Sequence, residues 1–416
     1  MKLLIISSLY SPLRSSVTEK IWHPEGMPAF TGFLEALEDK KIEFDVILRG
    51  MSSDNGIRKN KMIKFREFSG NFHIISFPYF LNTLKKFKKL DPFTGLIADV
   101  IHTVYCLRII SGRHYDVFYF DRANVTTGAF FAFFLRKNVF LRLHGVITLS
   151  EQFDRIPTRL AYLAKYISFR APFKYVLCSK DGSPAETFLK RFTGRKVSTE
   201  VLLNGVNSPF WLTYEGDGIR RRYNIPEDVP VILFVGRLEE SKGCSLLVRS
   251  LCRLRDEKKK FFSLIVGGGS LYKNISSFLK KCNLNSQVVL TGSVGHEDIY
   301  RYYAASDIYV SLNYHGNLSN TVLEAAAAGK CIVTFGEHNK PLRDADTQSL
   351  LRDCAVFIER DNASTELTEA LKSLIENPKR IVELGKKTSI LAEIRIKPWE
   401  QRINYEVELL KKVAFG

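Results

Sequence analysis

Short apolar runs that alternate with helix-length segments constrain the fold of this chain more than any other feature. The first series extends from Lys2–Ser7 to Glu200–Leu203, with helix-length stretches such as Phe30–Lys40 between several of its members. A second series begins at Val231–Val235. Apolar runs of this length are typical of buried parallel strands, and their alternation with helices is typical of an α/β fold. We therefore predict two α/β domains, each with a mostly parallel sheet.

A turn-rich tripeptide, Asn207-Ser208-Pro209, separates the two series. It predicts a first domain over residues 1–208 and a second over 209–396, followed by a last helix, Lys397–Val413, in a terminal segment 397–416. The other predicted strands are Phe44–Leu48, His73–Phe77, Val117–Phe120, Val139–Leu143, Tyr175–Cys178, Ser263–Val266, Val288–Leu290, Ile308–Leu312, Cys331–Thr334 and Ala355–Ile358. The other predicted helices are Arg155–Phe169, Ser245–Lys258, Glu297–Ala305 and Ser319–Ala328.

Positive charge is unevenly distributed along the 416 residues. The net charge is +17, and residues 1–208 contain 31 Lys and Arg residues against 18 Asp and Glu residues. The other half of the chain is nearly balanced, with 30 and 26. This asymmetry predicts an anionic partner for the first domain: nucleic acid, a membrane surface or an acidic substrate. The hydrophobic fraction of 45% excludes disordered and collagen-like proteins.

The cysteines and the apolar segments indicate the compartment. The seven cysteines include no C-x-x-C pair, so we expect reduced thiols and neither a disulfide framework nor a zinc site. The start, MKLLIISSLY, lacks the long apolar region and the cleavage site of a signal peptide. The most apolar stretch, Gly128–Leu135, is far shorter than the about 18 residues of a spanning helix. We therefore expect a cytoplasmic protein, peripheral on the inner face of the membrane.

The loop after Val231–Val235 carries two cations at close spacing. Arg237 and Lys242 lie five positions apart, between Gly236 and Gly243. A guanidinium and an ammonium so placed are suited to binding one diphosphate, and the glycines allow the backbone to approach it closely. The alternative is a surface loop with solvated charges.

The segment His315–Lys330 predicts a helix with a ligand at its amino end. Asn317, Ser319 and Asn320 are candidate N-caps, and N–H groups at a helix start bind phosphate. Glu324 lies one or two turns inside the helix, where a carboxylate can accept hydrogen bonds from two ribose hydroxyls. The alternative is an ordinary surface glutamate.

Taken in this order, the two motifs resemble the nucleotide-sugar domain of the retaining glycosyltransferases of family 4, the glycosyl transferases group 1. The supporting stretches include VILFVGRLEESKG, FSLIVGGGS and LSNTVLEAAAAGKCIV, within residues 200–395. The first domain adds the weaker matches YDVFYFDR and VFLRLHGV. The resemblance implies the GT-B architecture, in which two Rossmann-like domains face each other across a cleft. It also implies that the C-terminal helix crosses back to the first domain, which binds the acceptor.

The resemblance further implies a role for each matching residue. Arg237 and Lys242 would bind the donor diphosphate and stabilise the leaving group, so that neither a metal ion nor another cofactor is needed. His144, at the end of the VFLRL strand, would join them as a catalytic residue facing the transferred sugar, although a lone histidine is more often structural. Glu324 would bind the ribose. The implied donor-binding residues are Gly236, Gly292, Ser293, Val294, Gly316, Asn317, Leu318, Ser319, Asn320, Glu324, Ser15 and Ser16.

Two positions depart from the family pattern. The family often has a second glutamate where this chain has Gly316, and its carboxylate would lie near the hydroxyls of the transferred sugar. The family's first loop often contains consecutive glycines, whereas this chain has Tyr10–Ser16. The hydroxyls of Ser15 and Ser16 can donate to phosphate in their place.

Asp344-Ala345-Asp346 has the spacing of a metal-binding Asp-x-Asp motif. It follows Lys340-Pro341-Leu342-Arg343 and not an apolar strand. We therefore interpret the triplet as a solvated loop without a metal role.

The segment Leu81–Leu90, LNTLKKFKKL, combines an apolar stripe at every third residue with four lysines. Its lysines are Lys85, Lys86, Lys88 and Lys89. This pattern is typical of an interfacial helix on anionic lipid. The alternative is a helix that packs on its own domain. We hypothesise that the first domain uses this segment to dock on a membrane and reach a lipid-linked acceptor.

Together these patterns predict a retaining glycosyltransferase that moves a sugar from a UDP- or GDP-linked donor to a hydroxyl of a glycan or lipid-linked acceptor. Its pathway would be the synthesis of a cell-surface polysaccharide such as lipopolysaccharide, or of a glycolipid. One alternative is a GT-B sugar-nucleotide epimerase or hydrolase. A second is a non-catalytic sugar-nucleotide sensor. A third, a nucleic-acid-binding protein, is suggested by the pI of 9.4, but the basic segments contain no recognition motif, so no nucleic-acid partner is expected.

Overall fold

Two compact units make up the part of the chain that the structure describes. The structure, a computed structural model, describes residues 1–24, 27–50, 60–76, 91–154, 156–207, 217–336 and 344–416. Unit 1 comprises Met1–Ser179, Ala185–Leu202 and Glu400–Gly416, and unit 2 comprises Lys180–Pro184 and Leu203–Trp399. The chain thus passes into unit 2 at residue 203, whereas the sequence prediction set this boundary after residue 208.

Each unit contains one open sheet. The strands are β1 Lys2–Ser8, β2 Glu43–Gly50, β3 Lys61–Ile63, β4 Phe72–Ser76, β5 Val117–Asp121, β6 Val139–Leu143, β7 Tyr175–Ser179, β8 Ser198–Leu202, β9 Val231–Val235, β10 Phe262–Val266, β11 Val288–Gly292, β12 Ile308–Ser311, β13 Cys331–Phe335 and β14 Ala355–Ile358. The first sheet has the order β3-β4-β2-β1-β5-β6-β7-β8 and the second the order β11-β10-β9-β12-β13-β14. Among these strands only β3 pairs antiparallel, with β4.

Helices connect the parallel strands. They are α1 Arg14–Glu19, α2 Pro28–Asp39, α3 Asp91–Ile110, α4 Val125–Phe133, α5 Ile147–Asp154, α6 Ile156–Ala161, α7 Leu163–Ser168, α8 Ala185–Phe192, α9 Asp217–Arg222, α10 Cys244–Asp256, α11 Tyr272–Lys281, α12 His296–Ala305, α13 Asn320–Ala327, α14 Ala345–Leu351, α15 Ala363–Glu376, α16 Pro378–Arg395 and α17 Trp399–Phe415. None of the helices in the described ranges is both long and apolar enough to cross a membrane.

The sheet of unit 2 is buried on both faces. Ile232 and Phe234 of β9 contribute to one apolar core, whereas Val231, Leu233 and Val235 contribute to the core on the other face. This alternation follows from the two-residue period of a strand. A strand that is covered on both faces favours apolar side chains at most positions, which explains the nearly continuous apolar runs of the sequence. The predicted α/β class with two parallel sheets is confirmed.

The last helix, α17, packs in unit 1, as the sequence predicted. Its buried Glu406 accepts a hydrogen bond from Tyr119 of β5 (2.9 Å), and its carboxylate lies 3.2 Å from the guanidinium of Arg142 in β6. Arg402, one turn earlier in α17, pairs with the same carboxylate at 3.1 Å. A carboxylate with two guanidinium partners therefore connects the end of the chain to the centre of the first sheet.

Candidate active site

The strand order of unit 2 reverses between β9 and β12. From β9 the chain proceeds outward through β10 and β11, then returns to the other side of β9 with β12, β13 and β14. Ligands of open α/β sheets bind at the carboxyl ends of the strands beside such a switch point. Two loops lie there, residues 236–243 after β9 and 312–319 after β12. They are joined by a hydrogen bond from the Tyr314 amide to the Ser241 carbonyl (2.9 Å).

The β9 loop brings its two cations together. Arg237 is exposed and its guanidinium lies 3.0 Å from the carboxylate of Glu239. Lys242 is half-buried at the end of a short 3-10 turn, Glu240–Lys242. The pKa of Lys242 is lowered, first by burial and then by the positive charge of Arg237, although Glu239 opposes the shift. An ammonium that is costly to charge in the free protein is stabilised when a phosphate arrives beside it.

Gly243 fixes the distance between the two loops. Its φ is +72°, in the left-handed region that favours glycine. A Cβ atom at this position would lie 2.4 Å from Cβ of Leu312, the first residue of the β12 loop. The two loops therefore approach as closely as they do only because residue 243 is glycine.

The β12 loop is organised around the fully buried side chain of Asn317. Its Oδ1 accepts from the Ser311 hydroxyl (3.0 Å) and the Asn313 amide (2.9 Å), and its Nδ2 donates to the Asn313 carbonyl (3.0 Å). The backbone amide of Asn317 donates to Asp344 (2.7 Å). These atoms are engaged within the protein, so we assign Asn317 the shaping of the loop and not direct contact with a donor.

The sequence interpretation of Asp344-Ala345-Asp346 as a solvated loop is wrong. Asp344 is fully buried and precedes α14 with a positive φ of 61°. Its carboxylate accepts hydrogen bonds from Asn317, Thr347 (3.0 Å) and the guanidinium of Arg360. Arg360 in turn lies over the ring of Phe335, 4.5 Å from its centroid. The triplet therefore begins with a structural anion that holds the β12 loop.

The amino end of α13 faces the same switch point. Ser319 is the N-cap in an extended conformation, and within the described residues no side chain caps the helix start. The hydroxyl of Ser319 instead pairs with that of Thr321 (2.9 Å), and Asn320 accepts from Asn204 (2.8 Å). Leu318 is buried and anchors the turn. N–H groups at a helix start are suited to phosphate, and phosphate binding at this helix start stays a prediction.

Glu324 is not an ordinary surface residue. It is buried within α13, and its Oε2 accepts a hydrogen bond from the hydroxyl of Tyr303 (3.1 Å). The same hydroxyl also contacts the carbonyl of Thr321 (2.9 Å). Burial and the charge of Glu324 raise the pKa of Tyr303, so the phenol stays protonated and donates to the carboxylate. Tyr303 thereby fixes the orientation of Glu324.

The backbone conformation of the β12 loop explains why residue 316 is a glycine and not the glutamate of the family pattern. The φ of Gly316 is +104°, which L side chains rarely adopt, and its carbonyl accepts from the side chain of Asn313 (2.7 Å). A glutamate at this position would strain the loop. The departure from the family pattern is therefore part of how this loop is built.

A third segment of the candidate site, Gly292-Ser293-Val294, begins at the last residue of β11. The Gly292 carbonyl accepts from the amide of Gly267 (2.9 Å), which connects this loop to the glycine-rich end of β10. Ser293 is exposed. Among the described residues, no group of three or more His, Cys, Asp or Glu side chains is placed to hold a metal ion.

In unit 1, His144 lies directly after β6. Its ring contacts that of Tyr10 edge-on, with centroids 6.4 Å apart. The pKa of His144 is lowered to about 3 by desolvation and then by the charges of Arg142, Arg122 and Arg402. His144 is exposed, so desolvation contributes less to the shift than full burial would, and the three cations lower the pKa in the same direction. The imidazole is therefore neutral at neutral pH and available for hydrogen bonding.

Sequence reasoning missed Asp121, which ends β5 beside that histidine's strand. This buried carboxylate accepts hydrogen bonds from the Ser7 hydroxyl (2.9 Å), the Ser8 amide (2.8 Å) and the Tyr10 hydroxyl (2.7 Å). Asn124 donates to its other oxygen (2.7 Å). An aspartate directly after the apolar run VFYF was the available signal. Asp121 positions Tyr10, and hence the contact of that ring with His144.

Two further groups of predicted residues belong to unit 1 or to undescribed segments. Ser15 and Ser16 belong to α1 and not to a loop, and the buried Ser16 hydroxyl accepts from the amide of His23 (3.1 Å). The lysines predicted to contact a membrane lie outside the described residues. They are Lys85, Lys86, Lys88 and Lys89.

The structure has two open, mostly parallel sheets, and the switch point of the second sheet carries two cations and an uncapped helix start. This arrangement is typical of proteins that bind phosphate-bearing ligands. Residues 217–389 match the family model of the glycosyl transferases group 1. The predicted resemblance is therefore confirmed at the level of group 1. The narrower assignment to family 4 stays a prediction.

Solved structures confirm the GT-B fold. Sucrose-phosphate synthase from Thermosynechococcus elongatus has a TM-score of 0.69 over 99% of both chains, at 18% identity. Anabaena Alr3699/HepE, solved in complex with UDP, has a TM-score of 0.65 at 16% identity, over 99% of this chain and 100% of that one.

A curated relative from Campylobacter jejuni is 25% identical over 194 residues, 47% of this chain and 49% of its own length. It is an N-acetylgalactosamine-N,N'-diacetylbacillosaminyl-diphospho-undecaprenol 4-alpha-N-acetylgalactosaminyltransferase. The chain spans about half the length, or less, of the curated relatives it matches.

Proposed function

We propose that this protein transfers a sugar from a nucleoside-diphosphate sugar to a hydroxyl group, and that unit 2 binds the donor. One observation carries the proposal: Arg237, Lys242 and the uncapped start of α13 lie at one switch point, in a segment of the glycosyl transferases group 1. Two cations and a helix start match the charge of a diphosphate. Glu324, oriented by Tyr303, binds the ribose in this proposal.

The reaction we propose breaks the bond between the anomeric carbon and the diphosphate oxygen and forms a bond from that carbon to the acceptor oxygen. The acceptor proton passes to the departing phosphate oxygen, so both events occur on one face of the sugar and the configuration is retained. Arg237 and Lys242 stabilise the charge that builds on the diphosphate, in the place of a metal ion. The partial burial of Lys242 makes that stabilisation stronger than at the surface.

Unit 1 supplies the acceptor side in this proposal. His144 is neutral and held against Tyr10, so it can donate a hydrogen bond to a sugar hydroxyl without adding charge. Asp121 positions Tyr10 and thereby supports His144 indirectly. We therefore regard Asp121 as a positioning residue and His144 as the residue that contacts the transferred sugar.

The likeness to two known proteins guides the choice of substrates. Anabaena Alr3699/HepE was solved with UDP, and the Campylobacter relative acts on a diphospho-undecaprenol-linked sugar. We propose a UDP-sugar as the donor and a lipid-linked glycan as the acceptor. A GDP-sugar is the second choice.

A thermal-shift panel of UDP-, GDP-, ADP- and dTDP-sugars tests donor binding. A donor at a hundred times its Kd adds about 2.7 kcal/mol to stability, so the correct nucleotide raises the melting temperature. Lys242→Ala and Glu324→Gln should lose this shift and nearly abolish transfer, while Lys280→Ala, an exposed lysine of α11, should keep both. Normal transfer by both site variants would refute the site. Rapid epimerisation of a donor without acceptor would favour the epimerase alternative.

A further inference from the structure

An apolar stripe on α6 and α7 faces outward. Ile156, Leu160, Leu163 and Ile167 recur at intervals of four, three and four residues, the spacing of one helix face. In most surface helices this face is buried, but here each of the four side chains is between 44% and 68% exposed. The same segment packs on the core of unit 1 through other residues, including Tyr166. The outward stripe is therefore additional to the face that holds the segment in the fold.

Two neighbouring helices expose residues of the same kind. Large apolar side chains are exposed at Phe133 and Phe134 at the end of α4, and at four-residue spacing along α3. Because α4 packs against both α3 and α7, and all three contact one core cluster, they lie on one side of the sheet. The apolar face, as we call it, consists of Leu96, Val100, Val104, Phe133, Phe134, Ile156, Leu160, Leu163 and Ile167.

The apolar face is too concentrated to be ordinary surface scatter. Among the described residues, eighteen large apolar side chains are exposed, and nine of them belong to it. Single exposed apolar residues are normal on soluble proteins, whereas a cluster of this kind marks an interaction surface.

Cations accompany the apolar face. Residues 125–174 contain eight Lys and Arg residues and two carboxylates. Of the eight cations, Arg142 is buried in the sheet against Glu406 and Arg155 lies outside the described residues. One of the carboxylates, Asp154, pairs with Arg191 at 3.3 Å. Lys165 lies 5.7 Å from the ring centroid of Tyr162, and Arg159 lies 5.4 Å from that of Tyr166. Lysines and arginines with long apolar stems, next to tyrosines, are typical of a surface that meets lipid headgroups.

We propose that the apolar face is a docking surface for an anionic lipid leaflet. Positive charge beside apolar side chains complements a layer with anionic headgroups over hydrocarbon. A leaflet also accepts a broad, irregular apolar surface without the shape complementarity that a protein interface requires. The stripe on α6 and α7 is about 17 Å long, enough to lie along the leaflet over three turns.

This surface is distinct from the predicted segment Leu81–Leu90, which lies outside the described residues but directly precedes α3 in the chain. The inference uses only the surface of unit 1 and not the donor chemistry. If the docking proposal and the proposed function both hold, docking brings unit 1 to a lipid-linked acceptor.

Vesicle sedimentation tests the proposal with charge-matched variants of the full chain. The probe is vesicles of phosphatidylcholine alone, or with phosphatidylglycerol at roughly three to one, a composition that gives a negative surface. The test variant is Leu160→Glu with Ile167→Glu. The control is Val382→Glu with Ile394→Glu, equally exposed positions of α16 in unit 2. Both variants add two negative charges, so only the place of the change differs.

We expect the wild type and the control to sediment with the anionic vesicles, and to bind neutral vesicles more weakly. The test variant should lose roughly a hundredfold in partitioning, about tenfold for each apolar side chain removed from the leaflet. The proposal would be overturned if the test variant sedimented like the wild type. It would also be overturned if the wild type sedimented with neither kind of vesicle. A wild type that is a dimer in solution and a test variant that is a monomer would also overturn it, because the apolar face would then bind a second copy of the chain.

Two further measurements separate a failure to dock from other failures. The melting temperature reveals a folding defect, and nucleotide binding tests the proposed function. All four substituted positions are exposed, so the melting temperature should change little in either variant. Binding of nucleotide in solution is measured without vesicles. A protein that binds nucleotide but no vesicles would overturn docking alone, and one that docks without binding nucleotide would overturn the proposed function alone.

Discussion

Removal of the buried carboxylate at Asp344 should strongly destabilise unit 2. In Asp344→Ala, the guanidinium of Arg360, which is 8% exposed, loses its anionic partner. The amide and side chain of Asn317 and the hydroxyl of Thr347 lose an acceptor as well. Breaking a buried ion pair at one partner typically costs 3–5 kcal/mol, about as much as several neutral hydrogen bonds together. We therefore expect a loss of about 3–5 kcal/mol in the free energy of unfolding.

Urea unfolding followed by circular dichroism measures this loss, and a double variant isolates its cause. In Asp344→Ala with Arg360→Met, no unpaired charge stays buried, and methionine can still cover the ring of Phe335. The double variant should therefore be more stable than Asp344→Ala by about 2 kcal/mol. Glu383→Ala, which breaks an exposed pair with Lys387, should leave unfolding close to that of the wild type.

The reasoning would be refuted if Asp344→Ala unfolded within about 1 kcal/mol of the wild type, the range of a surface pair. It would also be refuted if the double variant were less stable than the single one. Nucleotide affinity offers a second readout, because the β12 loop depends on the same carboxylate. Asp344→Ala should weaken nucleotide binding while Glu383→Ala should not.

Three further predictions concern other parts of the fold. Gly243→Ala should lower both the melting temperature and the nucleotide affinity, because its Cβ would lie 2.4 Å from Cβ of Leu312; unchanged affinity by calorimetry would contradict this. Glu406→Gln leaves two guanidinium groups without a buried anion and should cost about 3–5 kcal/mol in urea unfolding; a loss below about 1 kcal/mol would refute it. Burial lowers the pKa of Lys330 to about 8, so between about pH 8 and 10.4 the unfolded state binds more protons and stability should rise with pH relative to Lys330→Met; parallel pH profiles would contradict it.

The sheets could be predicted from the sequence because the signal for a buried strand is local. Val231–Val235 and Val139–Leu143 have the same bounds in the prediction and in the structure. Val231–Val235 is a continuous apolar run, and Val139–Leu143 is apolar except for Arg142, whose buried guanidinium pairs with Glu406. A strand covered on both faces favours such runs. The sequence predicts one helix over Arg155–Phe169, whereas the structure describes α6 and α7 there. Its periodicity indicates which residues share a face but not which face the fold covers.

The candidate site could be predicted only in part, because its supports come from distant positions. Arg237 and Lys242 share one loop, so their spacing was informative. Asp344 was interpreted as solvated because its partners lie 16 and 27 residues away, at Arg360 and Asn317. Local composition is the same for a buried aspartate and for an exposed one, and only the tertiary structure distinguishes them.

Calorimetric titration with a nucleoside diphosphate tests most directly the central claim that Arg237 and Lys242 bind the donor. The ligand is the diphosphate selected by the thermal-shift panel, with UDP first. The test variant is Arg237→Met with Lys242→Met, and the charge-matched control is Lys273→Met with Lys280→Met, on exposed positions of α11. We predict that the wild type and the control bind alike and that the test variant binds at least about a hundredfold more weakly, since charged hydrogen bonds contribute about 1.5–3 kcal/mol each. Equal affinity of all three proteins would contradict the account.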